Sequence, residues 1–253
     1  MLCLTILVFI TLALKGGMYI YYFKYFLDPA AQASFLENIG FNNFIAGLNQ
    51  TITSLGLGKF QWPEDAPTSA NSLFNAGGII FMIFGIMISK PLADRFGKRN
   101  IFAIFLVLSA ICLIMFKFYS RDAITSVFIT QILHGFFYGV TIPILWAMIA
   151  DVADYSEWKN SRRATAIIFS AMIFGLKIGL SLGGAFGAAL LSNYGYVAEQ
   201  EQQTVATVSG IQMSVSIYPG LIFLLGALLL LGYQINKSME TQIEADLKTR
   251  RLK

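Results

Sequence analysis

The chain has 253 residues, 56% of them apolar and only 13% charged, and a net charge of +4. A soluble domain carries about a quarter charged residues, and here the apolar residues come in long blocks rather than in alternation, so a soluble globular class is excluded. The small positive excess reflects basic residues gathered in loops and calls for no nucleic-acid partner.

A bilayer-spanning helix needs roughly 20 mostly apolar residues. Six runs meet that length, at about 2–27, 71–92, 101–119, 124–150, 164–192 and 212–235. Lipid offers the backbone no hydrogen-bond partner, so such runs are helices and the fold class is all-α integral membrane. The first run is not a signal peptide, because no basic residue precedes Leu2 and the run continues past signal length to Leu27. Met1 leaves no lead-in to that span, which fits a fragment, an internal start or a split gene. Cys3 and Cys112 both fall in spans and read as small apolar core residues.

Lys15 lies in the middle of the first span, with Thr11, Tyr19 and Tyr22 on its helical face. A tyrosine offers a ring and a hydroxyl, which suits the flat face and polar edge of a sugar. Tyr21, Tyr22 and Tyr25 also fit an ordinary aromatic belt. The connection 28–70 is the one long loop. Phe35, Ile39, Phe44, Ile45, Leu48, Ile52 and Leu55 recur in it at helical spacing, which predicts one amphipathic helix on the outer surface or over a cavity; a mobile loop is the alternative. The segment from Trp62 to Pro67 breaks any helix before the second span.

Asp94-Arg95-Phe96-Gly97-Lys98-Arg99 fills the tight turn between the second and third spans. In the fourth span His134, Tyr138 and Thr141 share a stripe, and Pro143 is a candidate kink. His134 is the sole histidine, so no multi-histidine metal site exists, and it reads as a hydrogen-bonded core residue rather than a proton carrier. Beyond that span come Asp151, Asp154 and Glu157, which share a face if the helix continues. Arg162 and Arg163 are their nearest cationic candidates, and ion pairs that form in one state only make a cytoplasmic gate. The alternative is a solvated charge run.

Lys177 sits near the middle of the fifth span, where a charge costs at least about 2.5–3.5 kcal/mol and must face protein or water. Ser170, Ser181, Gly184 and Ala188 share its face, which predicts a cavity lining. Gly175, Gly179, Gly183 and Gly187 form a second stripe turned away from it, which predicts close approach of another helix. The alternative for Lys177 is a structural ion pair. The tail 236–253 mixes both signs of charge and predicts a short solvated or fraying helix. Basic residues concentrate in the turn at 90–99, at 159–163 and in the tail, which assigns those segments to the cytoplasm and loop 28–70 to the outside.

The stretch from Ile149 to Lys159 (Ile-Ala-Asp-Val-Ala-Asp-Tyr-Ser-Glu-Trp-Lys), followed by Lys177, resembles the glycoside–pentoside–hexuronide:cation symporters. Asp94 to Arg99 is similar to the turn motif of major facilitator repeats. The resemblance implies the C-terminal half of a twelve-helix major facilitator fold, with a sugar or glycoside substrate, Na⁺ or H⁺ as coupling cation, no other cofactor, and an N-terminal six-helix half as partner. It implies Asp151, Asp154, Glu157 and Arg163 in a cytoplasmic charge network, joined here by Asp94 and Arg95, and Lys177 near the sugar and cation sites. Lys15, Tyr19, Tyr22 and Tyr138 are the further substrate or coupling candidates read from the spans themselves. Ser156 and Ser161 replace frequent glycines of the family, and the long loop 28–70 departs from its short connection. A six-helix homodimeric transporter and a non-transporting scaffold or sensor are the rival readings. No nucleophile–base pair, metal-ligand set or phosphate loop supports an enzyme.

Overall fold

Six helices long and apolar enough to cross a membrane account for most of the chain, and no strand occurs among the described residues. The structure is a computed structural model and describes residues 1–62, 65–162, 164–198 and 200–251. The first long helix, α1, runs over Leu2–Tyr21 and continues as a π-helical turn at Tyr22–Phe26. Two short helices follow, α2 at Pro29–Asn38 and α3 at Phe41–Ser54. Then come α4 (Ala66–Phe96), α5 (Lys98–Met115), α6 (Ile124–Asn160) and α7 (Thr165–Asn193). The last long segment is broken into α8 (Val205–Val215) and α9 (Ile217–Leu229), and α10 (Lys237–Arg251) forms the tail.

Two helix pairs form the closest seams, and glycine makes both possible. Between α4 and α6, a Cβ on Gly139 would lie 2.1 Å from the Met82 carbonyl oxygen, one on Gly135 2.3 Å from that of Gly78, and one on Gly85 2.2 Å from that of Phe136. Between α1 and α7, Gly179 and Gly183 meet the Ile6 and Ile10 carbonyls at 2.7 and 2.5 Å from a built Cβ. With no lipid-phase hydrophobic effect to drive helices together, such backbone approach supplies the dispersion contacts. The glycine stripe on α7 is thus the packing face that its spacing predicts. α5 packs on α6 and α9, and Phe102, Leu106 and Leu113 are fully buried there.

Several elements differ from expectation. The outer segment 28–70 holds two helices rather than one, because Gly40 takes a left-handed φ of 70° between them. Leu36 turns into the core, and the Phe35 ring lies 4.6 Å from that of Phe128 at a tilt of 37°, whereas Phe44 and Leu55 stay exposed. The last long segment starts at Val205 and breaks at Ser216 (φ −114°, ψ −82°). Pro219 lacks the N–H that would bond the Val215 carbonyl, which explains a break at that turn. The tail is not a free solvated helix, since Ile243 and Leu247 of α10 are 3% exposed. α6 runs unbroken through Pro143 to Asn160. Cys112 is buried as expected but Cys3 is exposed.

The junction of α1 and α2 is tied by one side chain. Gln32, fully buried, donates from Nε2 to the Phe23 carbonyl at 2.9 Å and the Leu27 carbonyl at 3.3 Å. Phe23 lies within the π-helical turn and Leu27 caps its end. Gln32→Leu removes both bonds and is expected to cost about 1–3 kcal/mol, read as a lower melting temperature of the detergent-solubilised protein. An unchanged melt would show that this turn needs no cap.

Candidate substrate pocket and charge cluster

Midway along α1, Lys15 points between α4 and α6 into a pocket of ≈160 Å³, lined also by Tyr19, Asn75, Gly78, Gln131, His134 and Tyr138. Lys15 is 6% exposed. Its Nζ stands 5.4 Å from the Tyr19 ring centroid and 5.8 Å from that of Tyr138. No ion pair to Lys15 exists among the described residues. Cation–π contacts supply roughly 0.5–2 kcal/mol each, while an isolated charge at the centre of a bilayer costs at least about 2.5–3.5 kcal/mol. Both contacts, at 5.4 and 5.8 Å, lie near the ~6 Å limit of the interaction and so at the weak end of that range, and the rings offset the cost only in part.

The polar atoms around Lys15 are also short of partners. The Tyr19 hydroxyl, Gln131 Oε1 and His134 Nε2 are buried without a hydrogen bond. His134 Nδ1 contacts the Ser109 carbonyl at 3.1 Å. A carbonyl only accepts, so Nδ1 carries the proton and a neutral ring leaves Nε2 as a free acceptor. Gln131 is set against Gly78, where a Cβ would lie 2.6 Å from its Nε2. A small residue on α4 thus makes room for an amide on α6. Buried polar atoms are seldom left unmet, and a cluster of them at one cavity wall is the mark of a ligand or water site. Small-molecule sites typically occupy ~300–1,000 Å³, so this wall is part of a site rather than a whole one.

Toward the end that carries α2, the bundle is filled with rings. Tyr19 and Phe74 meet edge to face at 4.9 Å, Phe23 and Phe74 at 5.0 Å, and Tyr22 stacks on Phe26 at 4.9 Å. Tyr22 is fully buried in this plug, one turn beyond the pocket, with its hydroxyl unpaired. Of the interior candidates, Lys15, Tyr19 and Tyr138 are therefore brought together, and Tyr22 belongs to the plug.

Lys177 is placed elsewhere. It lies on an exposed face of α7, and Ser170, Ser181, Gly184 and Ala188 on the same face are exposed too. A Cβ on Gly184 would meet nothing within 4 Å. α4 is similarly open along Ile79, Ile80, Ile83, Phe84 and Met87, each more than half exposed. Sequence reasoning missed Asn75 and Gln131. Gln131 was accessible to it, standing three and seven residues before His134 and Tyr138 on the same helical face.

At the opposite end of the bundle α6 leaves the apolar layer. Its 37 residues extend about 55 Å, against ~30 Å of hydrocarbon, so Asp151 to Lys159 project beyond it. Lys98 Nζ lies 2.7 and 2.9 Å from the two Asp151 carboxylate oxygens and 2.7 Å from Glu240 Oε1. One lysine from the turn motif thus bridges α6 and the tail. Arg99 donates to the Tyr233 carbonyl at 3.0 Å, and Lys237 donates to the Asp94 carbonyl. Trp158 Nε1 donates to Asp246 at 2.8 Å, and Arg250 to the Trp158 carbonyl at 3.0 Å.

The described partner of Asp151 is thus Lys98. Arg163 lies outside the described residues, and Arg162 is exposed. Asp154 is exposed, Glu157 is half-buried, and both have interaction partners. Asp94 and Arg95 are exposed, with the Arg95 guanidinium 5.2 Å from the Phe96 ring. Lys98 and Glu240 were not among the expected members. A lysine in a tight turn and an acid in a mixed tail look like solvated charges until the fold brings them to α6.

A helical membrane bundle with a polar, partly unsatisfied pocket at mid-depth and ion pairs at one end has the parts of a membrane transporter. The comparisons narrow this class: residues 66–237 match the MFS/sugar transport protein family, and the chain belongs to it. It is 34% identical over 151 residues to the inner membrane symporter YicJ of Escherichia coli (strain K12), a match covering 60% of this chain and 33% of that protein. Over 168 residues it is 32% identical to a 29.9 kDa protein from the crtE 3′ region of Pseudescherichia vulneris, covering 66% of this chain and 61% of the relative. It is 31% identical over 210 residues to the isoprimeverose transporter of Lactiplantibacillus pentosus, covering 82% of this chain and 43% of the relative. The matched region thus spans about a third to three fifths of these relatives.

Proposed function

We propose that this chain is the C-terminal six-helix half of a sugar or glycoside symporter of a cell inner membrane, driven by Na⁺ or H⁺, with the tail in the cytoplasm. The observation that carries this reading is the mid-depth pocket of Lys15, Tyr19, Gln131, His134 and Tyr138. Its small volume calls for an opposing wall, and the open faces of α4 and α7 flank α1 and α6 where a second six-helix bundle would seat. Family membership and the names of the relatives support a sugar as the cargo. Lys177, on the open face of α7, would then meet the opposing half.

In this mechanism the two bundles rock about the midplane pocket. Lys15, Tyr19 and Tyr138 hold the sugar, and the aromatic plug of Tyr22, Phe26 and Phe74 closes the outer side. The Lys98–Asp151–Glu240 bridge, with Asp154 beside it, holds the cytoplasmic side, and Glu157 and Arg163 would join the same charge network. Asp94 and Arg95 flank it. A bistable set of ion pairs at one end suits alternating access, because their breaking is compensated by closure at the other.

Proteoliposomes containing the complete transporter are expected to take up labelled glycosides, faster when a Na⁺ or a proton gradient is imposed. Uptake that ignores both gradients would refute the coupling. Absence of uptake for every sugar tested would favour a scaffold or sensor, and uptake by a reconstituted homodimer of this chain alone would refute the missing-half reading.

A further inference from the structure

A crevice of ≈630 Å³, far larger than the mid-depth pocket, opens at the outer end of α1. Its walls are the π-helical turn, the loop between α5 and α6, the loop before α8 and the first turn of α8. Neither α4 nor α7, the faces assigned above to the opposing half, contributes to it. The crevice therefore stays on the lipid side when that half is seated. Tyrosines mark its depth. Tyr25 in its wall shares a hydrogen bond with the Tyr196 hydroxyl at 3.3 Å, and Tyr21 meets Tyr196 edge to face at 5.2 Å. Such a cluster at the end of a span sits at headgroup level. Val205, 82% exposed, stands at the mouth, and the span that starts there turns Leu221, Leu225 and Leu228 outward.

The charges of the crevice are mixed. Lys24 and Arg121 stand in it with Asp28, Asp122 and Glu201. The bias of basic residues leaves the outer side only Lys24, Lys59, Lys117 and Arg121, and two of these gather here. Among the described residues no ion pair joins the five side chains. Lys24 Nζ lies 5.2 Å from the Tyr25 ring centroid and the Arg121 guanidinium 5.9 Å from that of Phe26, which leaves their N–H groups to a ligand. Asp28 is engaged as the cap of α2, accepting from the Ala30 N–H at 3.1 Å, and Asp122 accepts from the Ser120 side chain. Glu201 has no such partner among the described residues.

We propose that this crevice seats the headgroup of an outer-leaflet phospholipid that carries a primary amine, that is, a phosphatidylethanolamine. Lys24 and Arg121 receive the phosphodiester, Glu201 accepts from the ammonium, and the acyl chains run from Val205 down the leucine face of the last span. The carboxylates outnumber the cations, so a headgroup of net negative charge is disfavoured. A quaternary ammonium has no N–H to give Glu201. The assignment to the outer leaflet rests on the orientation proposed above, whereas the selectivity among headgroups does not.

The test is native mass spectrometry of the protein, delipidated in detergent and titrated with phosphatidylethanolamine, phosphatidylcholine and phosphatidylglycerol of identical acyl chains. Phosphatidylethanolamine is expected to bind about three- to tenfold more tightly than either of the others. Soluble glycerophosphoethanolamine, which lacks the chains, should bind at least about tenfold more weakly. Glu201→Gln should bring phosphatidylethanolamine down to the level of phosphatidylcholine, and Lys24→Gln with Arg121→Gln should weaken both. Equal binding of the three lipids, or tighter binding of phosphatidylglycerol, would overturn the proposal. Tight binding of the soluble headgroup would overturn a lipid as its source. An undiminished preference in Glu201→Gln would overturn the crevice as the site. The three substituted side chains are exposed, and the comparison of lipids on the parent protein needs no variant, so a misfolded variant leaves the test decisive. None of these outcomes bears on the sugar-transport reading.

Discussion

Gly139→Ala is expected to loosen or unfold the bundle, with the largest stability loss of any single methyl added to the chain. The new Cβ would lie 2.1 Å from the Met82 carbonyl oxygen and 2.9 Å from the Met82 Cα. The obstacle is backbone rather than a flexible side-chain tip, so α4 and α6 must move apart. That separation also disturbs Gly78 against Gly135 and Gly85 against Phe136 along the same seam. Overpacking costs typically about 1–3 kcal/mol and more where the surroundings cannot give. A loss of about 3 kcal/mol corresponds to roughly 5–10 °C in melting temperature for a chain of this size. Gly184→Ala is the control, because nothing lies within 4 Å of its Cβ. That variant should melt like the parent in detergent. Equal melting of Gly139→Ala and the parent would mean that the α4–α6 seam is not as close as described.

The second large effect is expected from Asp151→Asn, which leaves Lys98 with Glu240 as its one described anionic partner. The pair is partly shielded, with side chains 22% and 13% exposed. Its value should therefore exceed the 0–1 kcal/mol of a surface pair and fall below the 3–5 kcal/mol of a fully buried one. We expect about 1–2 kcal/mol of coupling in a double-mutant cycle of Lys98→Met and Asp151→Asn, measured on the folded fraction in denaturant. Glu240→Gln should weaken the same bridge and release α10, giving faster amide exchange at Ile243 and Leu247. Additive effects of the two substitutions, or α10 exchange unchanged in Glu240→Gln, would show that the bridge holds nothing together.

Each of these predictions depends on knowing which helix meets which, and that is where reading the chain alone runs short. Periodicity assigned the α7 glycines to a packing face, and they do pack. It could not say that their partner is α1, since Gly183 and Ile10 are far apart in sequence. The same limit explains the tail. Ile243 and Leu247 stand one turn apart among charges and look like isolated apolar residues on a solvated helix. Only docking onto α6 buries them. In the outer segment, apolar spacing ran smoothly through residues 35–55, but Gly40 breaks the helix and sends Leu36 inward while Phe44 remains outside.

The candidate site shows the division most clearly. Run length and the cost of burying backbone polar groups determined six spans, and residue order alone put Lys15 and Lys177 at mid-span. Both lysines looked equally suited to a polar interior. The tertiary structure separated them, placing Lys15 against Tyr138 and His134 of a helix more than a hundred residues away and leaving Lys177 on an open face. A helical repeat specifies which side chains share a face, because it is a local property of the backbone. Which surface that face meets depends on glycine-allowed approach between distant helices, and that is decided only when they pack.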